Sequence, residues 1–113
     1  MNDYKIFEKR LINDGVWEYE MQSKYSCIRY GYEPDTDIFY LYNISTPTDY
    51  RNKGYAKSLL NEFFYNIKMS GGVLDPGSFT VSGMIYIKPI IKRLSDEYNV
   101  PLINYPVGKD REI

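Results

Sequence analysis

Histidine is missing from this 113-residue chain. Ser-His-Asp and Cys-His nucleophilic systems are thereby excluded, as are metal sites built on imidazole, and no metal site is expected. Cysteine occurs once, at Cys27, so no internal disulfide can form and a reducing, cytoplasmic setting is expected. Long apolar runs are also missing. Ile38-Phe39-Tyr40-Leu41-Tyr42 falls far short of the roughly 20 residues that span a bilayer, so no membrane span is expected. Met1 to Lys5 leads into alternating sequence rather than an apolar stretch, which predicts no signal peptide. There is no excess of basic charge: 14 Lys and Arg against 15 Asp and Glu give a net charge of −1, which argues against a broad nucleic-acid footprint. Neither Gly-x-x-x-x-Gly-Lys-Ser/Thr nor Gly-x-Gly-x-x-Gly occurs. Acid–base chemistry is left to Tyr, Glu, Asp, Lys, Cys27 or water. Cys27 falls in a strand pattern with no histidine to lower its pKa, so a buried structural thiol is expected there rather than a nucleophile.

What is present suits one domain over residues 1–113, with hydrophobic residues at 43%, ordinary for a soluble globular chain. Residues Tyr4 to Leu11 read as a first strand, and Asn13-Asp14-Gly15 as a hairpin turn, because Gly, Asn and Asp tolerate positive φ. Trp17, Tyr19 and Met21 alternate with Glu18 and Glu20, the pattern of a half-buried strand. Tyr25 to Tyr32 is a third strand, ended by the turn cluster Glu33-Pro34-Asp35-Thr36-Asp37. Ile38 to Ser45 is the fourth and most apolar, and is expected to be central. Four strands with short connections predict an antiparallel meander. The thirteen tyrosines fit this reading, since most can pack one face of a sheet.

The period then changes. Ala56, Leu59, Leu60, Phe63, Phe64 and Ile67 are spaced i, i+3, i+4, i+7, i+8 and i+11, an amphipathic helix facing a sheet, and Ser70-Gly71-Gly72 stops it. Val73-Leu74-Asp75 reads as a short strand. Ile87, Ile90, Ile91, Leu94 and Tyr98 predict a second helix, capped by Thr80 or Ser82, with Pro89 kinking it or marking where its regular part begins. Pro101 to Tyr105 reads as a last strand. The sum is a mixed α/β (α+β) fold, mostly antiparallel, in the order four strands, helix, strand, helix, strand.

The junction between the fourth strand and the first helix carries the chemistry. The start of a helix exposes N–H groups and a partial positive charge, and usually attracts Asp or Glu. Here Arg51, Lys53 and Lys57 stand there, with no acid in the first turn. Like charge against the helix dipole costs about 0.3–1 kcal/mol each, a cost that makes sense if the loop grips an anion. Gly54 and Ala56 let backbone amides approach a phosphate closely.

Arg51-x-x-Gly54-x-Ala56, set between a strand and a long amphipathic helix, resembles the acetyl-coenzyme A motif of the GNAT superfamily of N-acetyltransferases. The flanks are similar as well: Pro47 shortly before Tyr50-Arg51, then Lys53-Gly54, then Ser58-Leu59-Leu60. The resemblance is best over Ile38 to Ile67 and extends more loosely to Tyr105. It implies a twisted GNAT-like sheet and an acetyl-CoA-dependent transfer to a primary amine by direct attack on the thioester. By the same resemblance, Arg51, Asn52, Lys53, Gly54, Tyr55, Ala56 and Lys57 would hold the cofactor's pyrophosphate. The backbone of Ile44, Ser45 and Thr46 would pair with the pantetheine arm in a slot where the fourth and fifth strands splay. Ser82 would contact that arm, and Tyr86 would be the acid that protonates the leaving thiolate. Tyr40, Tyr42, Glu33 or a relayed water are candidates for the base.

The sequence departs from the family between its first two strands, where two helices usually shape the acceptor site and only Asn13-Asp14-Gly15 stands here. This resembles minimal members of a size common in phage and mobile-element genomes. An acceptor surface left open suits a lysine or N-terminus on a protein. It equally suits a non-catalytic GNAT-fold binding module, an inhibitor or adaptor of a host or phage protein. Sheet edges admit either a monomer or a homodimer.

Overall fold

The computed structural model describes residues 4–13, 15–47, 49, 53–77 and 86–105. Strands β1 (Tyr4–Asn13), β2 (Val16–Ser23), β3 (Cys27–Glu33) and β4 (Ile38–Ser45) run as an antiparallel meander. Helix α1 (Tyr55–Ser70) follows, then β5 (Val73–Asp75), which pairs parallel to β4, then helix α2 (Lys88–Tyr98). The strand order is β1-β2-β3-β4-β5, a mixed and mostly antiparallel open sheet. β4 is therefore interior, and β3 is the middle strand.

Turn chemistry explains the connections. Gly15 at φ 84 lets β1 hand over to β2 without the helical insertion that would lengthen the crossing. Asp37, at φ 59, ends the turn after β3, where its N–H donates to the Glu33 carbonyl at 2.8 Å. Gly71, at φ 77, stops α1; its N–H donates to Lys68 O and that of Gly72 to Ile67 O, both at 3.1 Å, the pattern of a Schellman turn. α2 begins with Pro89 in its first turn, so the proline starts the regular helix rather than kinking it. Thr80 and Ser82, the expected caps, lie outside the described residues.

Two differences from the sequence reading concern strands. The expected third strand starts at Cys27, because Lys24 to Ser26 turn the chain, with Ser23 N–H donating to Ser26 O at 2.9 Å. The expected last strand shrinks to one parallel bridge, Leu102 to Leu74, which adds a rudimentary sixth strand. Asn104 at φ 56 bends the chain away before a ladder can form.

Both helices pack on one face of the sheet. Leu59, Leu60, Phe63, Phe64 and Ile67 of α1 and Ile91 and Leu94 of α2 form one core with Met21, Ile28, Tyr30, Phe39, Leu41 and Leu74. Tyr30 sits at its centre, its ring 5.4 Å from Tyr19 and 4.9 Å from Phe63. Tyr4, Tyr19, Tyr30 and Tyr32 pack this sheet face, fewer than expected of the thirteen: Tyr40 stands on the opposite face, and Tyr55, Tyr65 and Tyr98 belong to the helices. The helices are tied to each other by Tyr98, whose hydroxyl donates to Asn61 Oδ1 at 2.8 Å. The opposite face carries Phe7, Arg10, Glu18, Glu20, Arg29 and Tyr40, with no helix over it among the described residues. No helix is long and apolar enough to cross a membrane.

Candidate functional site

The candidate site lies where β4 gives way to α1. Gly54 has φ 84 and ψ 6, a left-handed conformation that a side chain would strain, and it directly precedes the helix. The Ser58 N–H donates to its carbonyl at 2.9 Å, closing the first turn. No side chain caps this helix, and its first turn holds no acid. The first amides of a helix have no intrahelical acceptor, so their partial positive charge is aimed out of the end of α1. A Cβ built on Gly54 would meet nothing within 4 Å. The glycine is needed for its φ and not for a close neighbour.

Gly54 lines a cleft of about 440 Å³ between the start of α1 and the middle of α2. Lys53, Gly54 and Lys57 line one side, with Asn61 one turn further along, and Arg93 and Glu97 line the other. Among the described lining residues, three basic side chains stand against one carboxylate. Arg93 and Glu97 fall outside the apolar stripe by which the sequence marks α2. Their i, i+4 spacing on the polar side of that stripe was the available signal.

The loop's ends are anchored to the turn between β2 and β3. The Ser26 and Thr46 hydroxyls are 2.7 Å apart, and the rings of Tyr25 and Tyr55 have centroids 4.5 Å apart. Arg51 and Asn52 of the motif, and Ser82, lie outside the described residues.

The β5-facing edge of β4 is the second element. Ladder pairing ends at Tyr40–Asp75, and β5 itself stops at Asp75. Gly77 still lies against β4, since a Cβ there would sit 2.9 Å from the Leu41 carbonyl. Beyond it, from Tyr42 to Ser45, that edge has no strand partner among the described residues, whereas Ile44 and Ser45 pair on the other edge with Ile28 and Cys27. A bulge falls at this point. Arg29 pairs with Asn43 but Tyr30 with Leu41, so Tyr42 is an extra residue. Bulges bend a strand and redirect its side chains, and they concentrate at such edges.

Around the bulge the side chains are phenols. Tyr40 donates to Glu33 Oε1 at 3.0 Å. Its pKa is raised, first by burial and then by that hydrogen bond and the Glu33 charge. Tyr42 lies across Gly31; its pKa too is raised, first by burial and then by the Glu18 charge, with Arg29 opposing. Both groups are therefore held neutral as proton donors, which is the wrong direction for a base. Glu33, the acceptor of the Tyr40 proton, is the carboxylate of the set. Tyr86 stands just before α2 and is 67% exposed. Cys27 is not the buried thiol expected: it opens β3 on the uncovered face, half-buried, and donates to Glu20 Oε2 at 2.8 Å. Its place at a strand end, beside the β2–β3 turn, keeps it from the core. No protein-family model, no curated protein and no solved structure matches this chain.

Proposed function

We propose that the protein is an acetyl-CoA-dependent N-acetyltransferase of GNAT type, acting on a primary amine. The observation that carries the reading is the left-handed Gly54 at the head of an uncapped helix, beside a cleft flanked by Lys53, Lys57 and Arg93. Pyrophosphate fits that set in charge and in space, because the helix-end dipole and the cations act in the same direction. The second support is the edge of β4 from Tyr42 to Ser45, which offers backbone N–H and C=O groups to an extended amide chain.

In this reading Ile44, Ser45 and Thr46 pair with the pantetheine arm, while the segment from Arg51 through Lys57 and Ser82 hold its phosphate end and flank. Acetyl-CoA supplies a thioester as acyl donor. The amine gives up a proton to Glu33 or to a water that Glu33 orders, and its lone pair forms the new C–N bond as the C–S bond breaks. A neutral phenol returns a proton to the thiolate, and Tyr86 is the residue assigned to that role, its exposure leaving it free to reach an incoming ligand.

Binding decides the matter first. Acetyl-CoA at 100 times its dissociation constant adds about 2.7 kcal/mol to stability, so a thermal melt must shift upward, and Arg51→Glu must reduce the shift. An unmoved melt rejects the reading. A non-catalytic binding module is the second reading, favoured by the direct passage from β1 to β2, which puts no helix there to cover an acceptor site. Labelled acetyl-CoA incubated with a panel of amines and a cell lysate separates the two: turnover lost in Arg51→Glu excludes the module, and cofactor binding with no transfer to any amine supports it.

A further inference from the structure

Helix α2 carries the same ion-pair spacing twice, and only one copy of it closes. Lys92 and Asp96 pair at 3.0 Å with both side chains more than half exposed, the ordinary i, i+4 contact of a solvated helix face. Arg93 and Glu97 stand one residue further along at the same spacing. Neither has an ion-pair or hydrogen-bond partner among the described residues. Chain direction does not separate the two pairs, since both put the basic residue first. Arg93 and Glu97 instead line the cleft beside the head of α1. Lys57, on the α1 wall of that cleft, is likewise unpaired among the described residues.

Asn61 joins the two walls. Its Oδ1 accepts the Tyr98 hydroxyl at 2.8 Å, which ties α1 to α2 and leaves the Nδ2 hydrogens without a partner among the described residues. The cleft thus offers an unpaired cation from each helix, an amide donor, and one carboxylate on α2.

A pyrophosphate held at Gly54 would use the α1 wall and leave Arg93 idle. At about 440 Å³ the cleft falls within the ~300–1,000 Å³ of sites that take whole small-molecule ligands. Coenzyme A continues past its pyrophosphate into a ribose that bears a second phosphate and a base that bears an amino group. A guanidinium grips a phosphate through two parallel N–H bonds, and a carboxylate accepts from an amino or hydroxyl group. A bare inorganic anion would meet the same cations but be opposed by Glu97, with no donor of its own to offer.

We infer that Arg93 binds the ribose phosphate of coenzyme A, opposite Lys57, and so selects the complete cofactor over its dephosphorylated form. Arg93 has this role only if the protein binds coenzyme A, as proposed above, and it lies outside the Arg51-x-x-Gly54-x-Ala56 segment.

The test is calorimetric titration of the full chain with coenzyme A and with dephospho-coenzyme A, which lacks only the ribose phosphate. The unaltered protein should bind coenzyme A about tenfold more tightly or better, as expected for one charge-assisted contact. Arg93→Gln should bring coenzyme A down to the affinity of the dephosphorylated form and leave the latter's affinity unchanged. Lys92→Gln, one residue away and paired with Asp96, should change neither. Arg93 is exposed and unpaired, so its replacement should leave the fold intact, and the two ligands on the unaltered chain need no variant to be compared. Equal binding of the two, or a loss in Arg93→Gln shared equally by both, would overturn the role of Arg93 and leave the coenzyme A reading standing. Binding of neither would reject that reading, and this role with it.

Discussion

The ring of Tyr25, in the turn between β2 and β3, packs at a tilt against that of Tyr55, the first residue of α1, with 37° between their planes. The contact fixes where the head of the helix stands relative to the sheet, and so where Gly54 points. Tyr25→Ala should lower stability by about 0.5–1.5 kcal/mol, the usual worth of such a pair. It should also weaken coenzyme A binding although Tyr25 is not placed on the ligand. Urea midpoints and calorimetric titration measure the two effects separately; intact affinity would show that the head of α1 holds its place without this ring contact.

Lys57 lies in the first turn of α1, where a cation opposes the helix dipole. Lys57→Glu should therefore stabilise the unliganded protein by about 0.3–1 kcal/mol. The same change should weaken coenzyme A binding, because it puts an anion beside the proposed phosphate. The two signs are opposite, and only a residue kept for a ligand gives that pair. Thermal melts with and without coenzyme A read both.

Gly31 and Gly72 are both buried and both crowded, yet they should respond differently to a methyl group. At Gly31 a Cβ would meet the ring of Tyr42, at 2.9 Å from Cζ, and that ring is partly exposed and can swing outward. At Gly72 it would stand 2.7 Å from the Asp37 carbonyl oxygen and 2.9 Å from Phe39 Cε1. That carbonyl accepts the Val73 N–H that opens β5, and cannot move freely. Gly72→Ala should cost about 1–3 kcal/mol, the range for overpacking, and Gly31→Ala less than about 1 kcal/mol. Denaturant unfolding checks the order.

Tyr30, 5% exposed, has its pKa raised from 10.0, first by burial and then by the Tyr19 and Tyr4 phenols. The folded state keeps this proton at a pH where the unfolded chain has lost it. Stability from this group is full below pH 10 and is lost as pH climbs through the folded value, at up to about 1.4 kcal/mol per pH unit. Tyr19, Tyr32, Tyr40 and Tyr42 shift the same way, Tyr32 chiefly through its hydrogen bond to Asp37. Unfolding free energy measured from pH 8 to 12 should fall above pH 10, and Tyr30→Phe should make that fall shallower.

Local pattern made much of this fold readable. The alternation of Trp17, Tyr19 and Met21 with Glu18 and Glu20 does mark the two faces of β2, and the Ala56 to Ile67 stripe does mark the buried side of α1. Pro89 and Gly71 sit where a helix start and stop need them. What stayed hidden depends on neighbours far along the chain. Glu18 reads as a solvated residue in its own strand; it is covered only because the registers of β1 and β3 bring Arg10 and Arg29 beside it. The bulge at Tyr42 has no local signature, since it arises from how β4 matches β3. The cleft beside Gly54 was half legible: the loop's cations were visible, but Arg93 enters from a helix more than thirty residues later.

The sheet's two halves also differ in how they can be assembled. β1 to β4 close through turns between neighbours, whereas β5 reaches β4 only after the 16 residues of α1 have been laid across the face, and then makes a ladder of three residues. Long-span parallel pairing bears its closure entropy before its contacts return it. The boundary between β4 and β5 is therefore the seam that zips last during folding and parts first in local opening, ahead of the meander in amide exchange. A ligand reaching from Gly54 along β4 from Ser45 to Tyr42, where the β5-facing edge has no strand partner among the described residues, would act as a clasp on that seam.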